Sequence, residues 1–219
     1  MNTIRNEFRI TIVVLFTMLL GFGCAEVSVE PIVSLDGSGF GGGNEFIAKK
    51  TFSHTIDLNS QTSFSLDGIN GYINLEAVVG ANQIVVSGEK IVSSTKYSNA
   101  SSYLKNITIG IDELTDEIVV KTIQPKFSNG VTYKVNYTIL IPAGLDIIVG
   151  NANGSVQLDI PQNTSANFSA SLVNGSISLR NLVLHDKVET YKSVLGTLGS
   201  GEGVITLSTT NGNIDVLGY

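Results

Sequence analysis

Between Val131 and Val216 the alternation of apolar and polar positions is repeatedly broken and restarted by one short phrase, an Asn-Gly pair followed by polar, apolar, polar and apolar residues. It reads Asn153-Gly154-Ser155-Val156-Gln157-Leu158, then Asn174-Gly175-Ser176-Ile177-Ser178-Leu179, then Asn211-Gly212-Asn213-Ile214-Asp215-Val216. An upstream copy, Asn70-Gly71-Tyr72-Ile73-Asn74-Leu75, and a reduced one, Gly203-Val204-Ile205-Thr206-Leu207, follow the same scheme. Asn-Gly reaches positive φ at low cost and side chains alternate across a strand. Each copy therefore predicts a turn leading into a strand with one buried and one solvated face. The pairs at 153 and 174 lie 21 residues apart and those at 174 and 211 lie 37 apart, with the Gly203 unit between them. Recurrence at this scale predicts an all-β, β-solenoid or β-helix-like stack in which neighbouring rungs supply the core. The uneven spacing keeps a β-sandwich as the alternative.

The same alternation extends upstream. Phe52, His54 and Ile56 share one parity, as do Phe64 and Leu66, and then Ile73, Leu75 and Ala77. Gln83–Ser87 and Ile91–Ser94 read as two short strands, and Asn106–Val120 as a hairpin whose tip carries Asp112, Glu113, Asp116 and Glu117. The clearest strand places Val131, Tyr133, Val135, Tyr137, Ile139 and Ile141 on one face and ends at Pro142, which cannot donate to a ladder. Leu145–Val149 follows, then Val156, Leu158 and Ile160, then Phe168, Ala170 and Leu172, then a run from Ile177 to Leu184. The stretch from His185 to Leu195 is the least regular. Past the first 23 residues no long window has the spacing of an amphipathic helix.

The N-terminus departs from this pattern. Residues 1–23 join a basic start (Arg5, Arg9), an apolar run from Ile10 to Leu20 and small residues, the three parts of an export signal. The run is too short to span a bilayer, which takes about 20 residues. Leu20-Gly21-Phe22-Gly23-Cys24 resembles the lipobox of bacterial lipoproteins, although Gly21 stands where Leu is usual and Phe22 is bulky. That resemblance implies lipidation of Cys24, the single cysteine of the chain. An ordinary secretory signal with a stray thiol is the alternative. Ala25 after the cysteine implies passage to the outer membrane of a bacterial envelope. Residues 24–48 are then a lipid-anchored tether containing the Gly-rich stretch Asp36–Asn44, and residues 49–219 the folded domain.

Charge narrows the partners. Without Arg5, Arg9 and Glu7, the 13 basic and 19 acidic residues become 11 and 18, an acidic balance that repels phosphate backbones and disfavours nucleic acid. The membrane, through the lipid, is the expected partner, with a glycan or another envelope protein as ligand of the polar strand faces.

No constellation for catalysis or cofactor binding emerges. His54 and His185 are the only imidazoles, and there is no Gly-x-Ser-x-Gly, no His-Glu-x-x-His and no cysteine pair. The acidic tip at 112–117 lacks the glycine of a calcium loop and reads as a solvated turn. Neither catalytic residues, nor a metal, nor a cofactor is expected. A pair of carboxylates brought together in space, as in carbohydrate-active enzymes, is the one enzymatic alternative. Seven Asn-x-Ser/Thr sequons, at 99, 106, 136, 153, 163, 167 and 174, follow from a composition rich in Asn, Ser and Thr.

From Tyr137-Thr138-Ile139-Leu140-Ile141-Pro142-Ala143-Gly144 through the Asn174-Gly175 and Asn211-Gly212 copies, the chain resembles the bacterial putative-adhesin family of β-strand-repeat domains of unknown function. The resemblance is best from Val131 to Val216 and weaker back to Lys49. It implies a β-solenoid-like, non-catalytic structural or adhesion module on an exported protein. It brings no functional residues with it.

Overall fold

The computed structural model describes residues 46–95, 100–126 and 130–219. The leader, Cys24 and most of the expected tether lie outside the described residues. The first strand among the described residues begins at Phe46, three residues before the expected domain boundary.

Fifteen strands and one 3-10 helix make up the described residues. In chain order they are β1 (Phe46–Asp57), β2 (Ser63–Asn70), β3 (Ile73–Val78), β4 (Gln83–Ser94), the 3-10 helix (Ala100–Asn106), β5 (Thr108–Glu113), β6 (Glu117–Ile123) and β7 (Val131–Pro142). There follow β8 (Asp146–Asn153), β9 (Val156–Ile160), β10 (Ala166–Asn174), β11 (Ile177–Arg180), β12 (Leu184–Glu189), β13 (Ser193–Leu198), β14 (Gly203–Asn211) and β15 (Ile214–Gly218). They form two sheets, of order β1-β4-β7-β3-β9-β15-β11 and β12-β13-β10-β14-β8-β2-β6-β5.

Each Asn-Gly pair carries the chain from the eight-stranded sheet to the seven-stranded one, from β2 to β3, β8 to β9, β10 to β11 and β14 to β15. Each such pair of strands is one rung, and neighbouring rungs run parallel in both sheets. A fifth parallel rung, β6 with β7, lies beside β2/β3. This is the solenoid-like stack the periodicity predicts, and antiparallel strands at its ends widen it into two full sheets.

The order of the rungs does not follow the order of the chain. In space it runs β6/β7, β2/β3, β8/β9, β14/β15, β10/β11, so the last rung in sequence is inserted between two earlier ones. The 37-residue interval before Asn211 is not an extra rung. Its middle part is the hairpin β12–β13, which extends only the eight-stranded sheet. Gly203 opens the strand that leads to the Asn211 corner and is not itself a corner.

Alternation places the aliphatic side chains as expected. Ile73, Leu75, Val156, Leu158, Ile214 and Val216, which follow three of the corners, are all buried, as are all six inward residues of β7. On the outermost rung Ile177 and Leu179 are only half-buried, and β11 stops at Arg180, before Asn181 at φ 58°, instead of running on to Leu184. The two short strands expected between Gln83 and Ser94 are one strand. Gly88 does not break β4, because there β4 has no room for a side chain: a Cβ would overlap the carbonyl oxygen of Asn136 and lie 2.9 Å from the Phe52 ring. The polar segment after Ser93 includes the 3-10 helix, which buries Ala100 and Leu104 against β1 and β4.

Tyr137 is the largest fully buried side chain, with its phenol oxygen 2.7 Å from Thr122 Oγ1. Burial pushes its pKa from 10.0 up to about 12, only partly offset by that hydrogen bond. The unfolded chain releases this proton at a lower pH than the native one. The contribution is therefore intact below pH 10 and lost as pH rises to about 12, amounting to roughly 3 kcal/mol at 1.36 kcal/mol per unit. Urea midpoints at pH 9 and pH 12 are expected to show that loss in the wild type and a smaller one in Tyr137→Phe. At neutral pH the variant is expected to lose about 1–2 kcal/mol, because Thr122 Oγ1 is left buried without its partner.

Candidate functional site

The four corners are built as one ladder. Asn174 Nδ2 donates to Asn211 Oδ1 at 2.8 Å, Asn211 Nδ2 to Asn153 Oδ1 at 2.7 Å, and Asn153 Nδ2 to Asn70 Oδ1 at 2.9 Å. Asn70 Nδ2 closes the series on the carbonyl of Tyr133 at 3.0 Å. The corner glycines carry a parallel backbone ladder: Gly71 N–H donates to Asn153 O, Gly154 N–H to Asn211 O, and Gly212 N–H to Asn174 O. Two side chains that point inward two residues before a corner satisfy glycine carbonyls of the next rung. Asn151 Nδ2 donates to Gly71 O at 2.7 Å and Thr209 Oγ1 to Gly154 O at 3.0 Å. These hydrogen bonds tie rung to rung along the edge, and their role is structural.

The outer face of the seven-stranded sheet is different. Strand register aligns Ser53, Ser87, Thr138, Asn74, Gln157, Asp215 and Ser178 in one row, one from each strand, with none buried. At roughly 4.8 Å per strand the row is about 29 Å long. The next row holds Val85, Leu140, Glu76, Asp159, Leu217 and Arg180, so a pair of acids flanked by aliphatic groups lies beside the polar line. At the centre a shallow groove of about 180 Å³ is lined by Asn74, Glu76, Thr138, Leu140, Gln157 and Asp159. Gln157 Nε2 donates to Asp159 at 3.2 Å, which fixes the amide across the groove. Tyr219 lies nearby, donating its hydroxyl to Ala77 O. Its pKa is held above the usual value by partial burial, by Glu76 and by Asp159 in that order. Such a face offers hydroxyl, amide and carboxylate groups beside exposed aliphatic carbon, the combination that matches the polar rim and C–H faces of a sugar chain.

A deeper cleft of about 570 Å³ lies among the loops on the side of the rungs away from the corners. Two carboxylates, Asp146 and Glu202, are among its lining residues, with Thr62, Leu145, Asn163 and Ser165. Asp146 Oδ1 accepts the N–H of Val204 at 2.8 Å, and Glu202 N–H donates to Ser165 Oγ at 3.2 Å. The Asp146 carboxylate thus holds the start of β14, while Glu202 is held through its backbone. No imidazole is close: His54 sits on β1 and His185 on β12, the edge strands at opposite ends of the stack. The acids at 112–117 lie on the β5–β6 hairpin as expected, where Asp116 O accepts the N–H groups of Thr62 and Ser63. Among the described residues no three of His, Cys, Asp and Glu converge as metal ligands. Cys24 lies outside the described residues.

Sequence reasoning identified wet strand faces but not the row, because the row exists only once seven strands are in register.

Parallel rungs joined by Asn-Gly corners around one apolar interior define a β-strand-repeat domain of the solenoid type. Residues 145–217, a third of the chain, match the family described as Toastrack DUF4097. Among solved structures, the chain is similar to a putative cell adhesion protein from Clostridium sporogenes, at 10% identity over 78% of this chain and 100% of that one, with a TM-score of 0.36. It is also similar to a putative adhesin from Parabacteroides distasonis, at 15% identity over 76% and 70%, with a TM-score of 0.28. A putative adhesin from Bacteroides fragilis is 12% identical over 76% and 97%, with a TM-score of 0.23. No curated protein matches the sequence.

Proposed function

We propose that this is an exported, lipid-anchored envelope protein whose domain works as a non-catalytic adhesion or binding module through the outer face of its seven-stranded sheet. The observation that carries the binding part is the row from Ser53 to Ser178, polar in every one of seven strands. A surface needed only for solubility has no reason to align hydroxyl and amide groups in register beside exposed Leu140. The ligand class is a neutral glycan or a polar protein surface. The apolar leader ending at Cys24 supports the anchor, and the Gly-rich stretch after it supports a tether holding the domain off the lipid.

Two experiments test the two parts. Cells fed a fatty-acid analogue are expected to label the wild type and not Cys24→Ser; an unlabelled wild type overturns the anchor. On an array of neutral polysaccharides, the wild-type domain is expected to bind at least one, and Asn74→Lys/Gln157→Lys to bind it at least tenfold more weakly. An array on which the wild type binds nothing, or on which the variant matches it, overturns binding by this face to glycans.

A carbohydrate-active enzyme is the second reading, and the observation favouring it is the cleft that holds Asp146 and Glu202. It predicts release of reducing ends from an oligosaccharide panel by the wild type and loss of that activity in Glu202→Gln. The binding-module reading predicts no release by either.

A further inference from the structure

The four Asn-Gly corners look alike in sequence but are not alike chemically, because the ladder has a direction and one open end. At Asn70, Asn153 and Asn211 three groups are engaged: the carboxamide Nδ2 donates, its Oδ1 accepts, and the following glycine N–H donates to the next rung. Asn174 is the outermost member. Its Nδ2 donates to Asn211, but among the described residues nothing donates to its Oδ1 and the N–H of Gly175 has no acceptor. Gly71, Gly154 and Gly212 are half-buried, whereas both Asn174 and Gly175 are exposed.

Those are the groups that react when an asparagine converts itself. The backbone nitrogen of the next residue attacks Cγ, an N–C bond forms, the Cγ–Nδ2 bond breaks, and the carboxamide nitrogen leaves as ammonia, its third hydrogen being the proton given up by the attacking amide. Water then opens the succinimide at either carbonyl to give aspartate or isoaspartate. Glycine favours the step because no Cβ hinders the approach. At an inner corner the attacking N–H is held by the rung above and the carboxamide is pinned from both sides, so three hydrogen bonds must be given up first. At Asn174 only one must be.

We propose that Asn174 is a self-modification site: in the folded protein it converts to aspartate and isoaspartate well before the other three corner asparagines. The product cannot donate to Asn211 Oδ1 and instead faces it with a carboxylate. Isoaspartate also adds a methylene to the backbone of the corner. Either change loosens β11, whose only strand partner among the described residues is β15, and uncovers Ile177 and Leu179 at the end of the stack. Conversion at this site is thus a clock written on one end of the domain.

The test is peptide mapping of the full chain, purified in detergent and held at pH 8 and 37 °C for several weeks, with isoaspartate detected by enzymatic methylation. The mass increase of about 1 Da at residue 174 is expected to appear at least tenfold faster than at residues 70, 153 and 211. In 6 M guanidinium the four rates are expected to agree within about threefold, since each is then a free Asn-Gly. Asn129, outside the described residues, is left out of the comparison. Equal rates at the four corners of the folded protein, or an inner corner converting first, would overturn the proposal.

Discussion

Deletion of residues 202–219 is expected to leave no cooperatively folded domain. In a solenoid wound in chain order, removal of the last rung uncovers one surface and leaves the remainder standing, because each repeat contacts only its neighbours. Here the last rung is interior. β14 pairs with β8 on one side and β10 on the other, and β15 pairs with β9 and β11. Without them β10 and β11 keep only the β12–β13 hairpin, and Val149, Leu158 and Phe168 face water where Ile205, Leu207, Ile214 and Val216 had covered them. Four buried aliphatic side chains at roughly 1.5–3 kcal/mol each amount to about 6–12 kcal/mol, comparable to the whole stability of an ordinary domain. The expected result is a collapsed amide proton spectrum and no cooperative urea transition. A truncated protein with dispersed resonances and a sharp transition would show that the rungs stack in chain order after all.

That insertion is also the clearest case of what could not be read from the residues. Alternation located nearly every strand, because period-2 burial is a local property, and Asn-Gly located the corners because positive φ is a local demand. Both signals are silent on which rung neighbours which. Asn153 and Asn211 are 58 residues apart and yet hydrogen-bonded, and nothing in either phrase marks them as partners rather than Asn153 and Asn174. The inward polar residues Asn151 and Thr209 were equally illegible. By pattern they occupy core positions, and only the exposed carbonyls of Gly71 and Gly154 on the next rung explain them. Gly88 misled in the other direction. A glycine inside a strand reads as an interruption, but here it answers a close approach by β7, a strand more than 40 residues further along. The binding face follows the same rule. Asn74, Thr138 and Gln157 are unremarkable outward residues singly, and become a site only when parallel pairing puts them side by side.

Gly154→Ala is expected to destabilise the domain by at least ~3 kcal/mol, and Gly144→Ala by about 1 kcal/mol. The pair separates two costs that usually arrive together. Both glycines have positive φ, 139° and 97° respectively, so both substitutions carry backbone strain. A Cβ on Gly144 meets nothing within 4 Å, and strain is its whole penalty. A Cβ on Gly154 would overlap the carbonyl oxygen and carbon of Gly71 on the neighbouring rung and come within 3.1 Å of Asn151 Nδ2. Those atoms are backbone fixed by the ladder, so relief requires the two rungs to separate at the corner. Separation gives up Gly71 N–H to Asn153 O, Asn153 Nδ2 to Asn70 Oδ1 and Asn151 Nδ2 to Gly71 O together. At about 1 kcal/mol per hydrogen bond, plus the strain, the sum reaches the stated figure. Urea midpoints of the two variants measure the difference directly. Equal losses would mean that the corners are glycine for the sake of φ alone, and that the close approach of the rungs contributes nothing to the choice of residue.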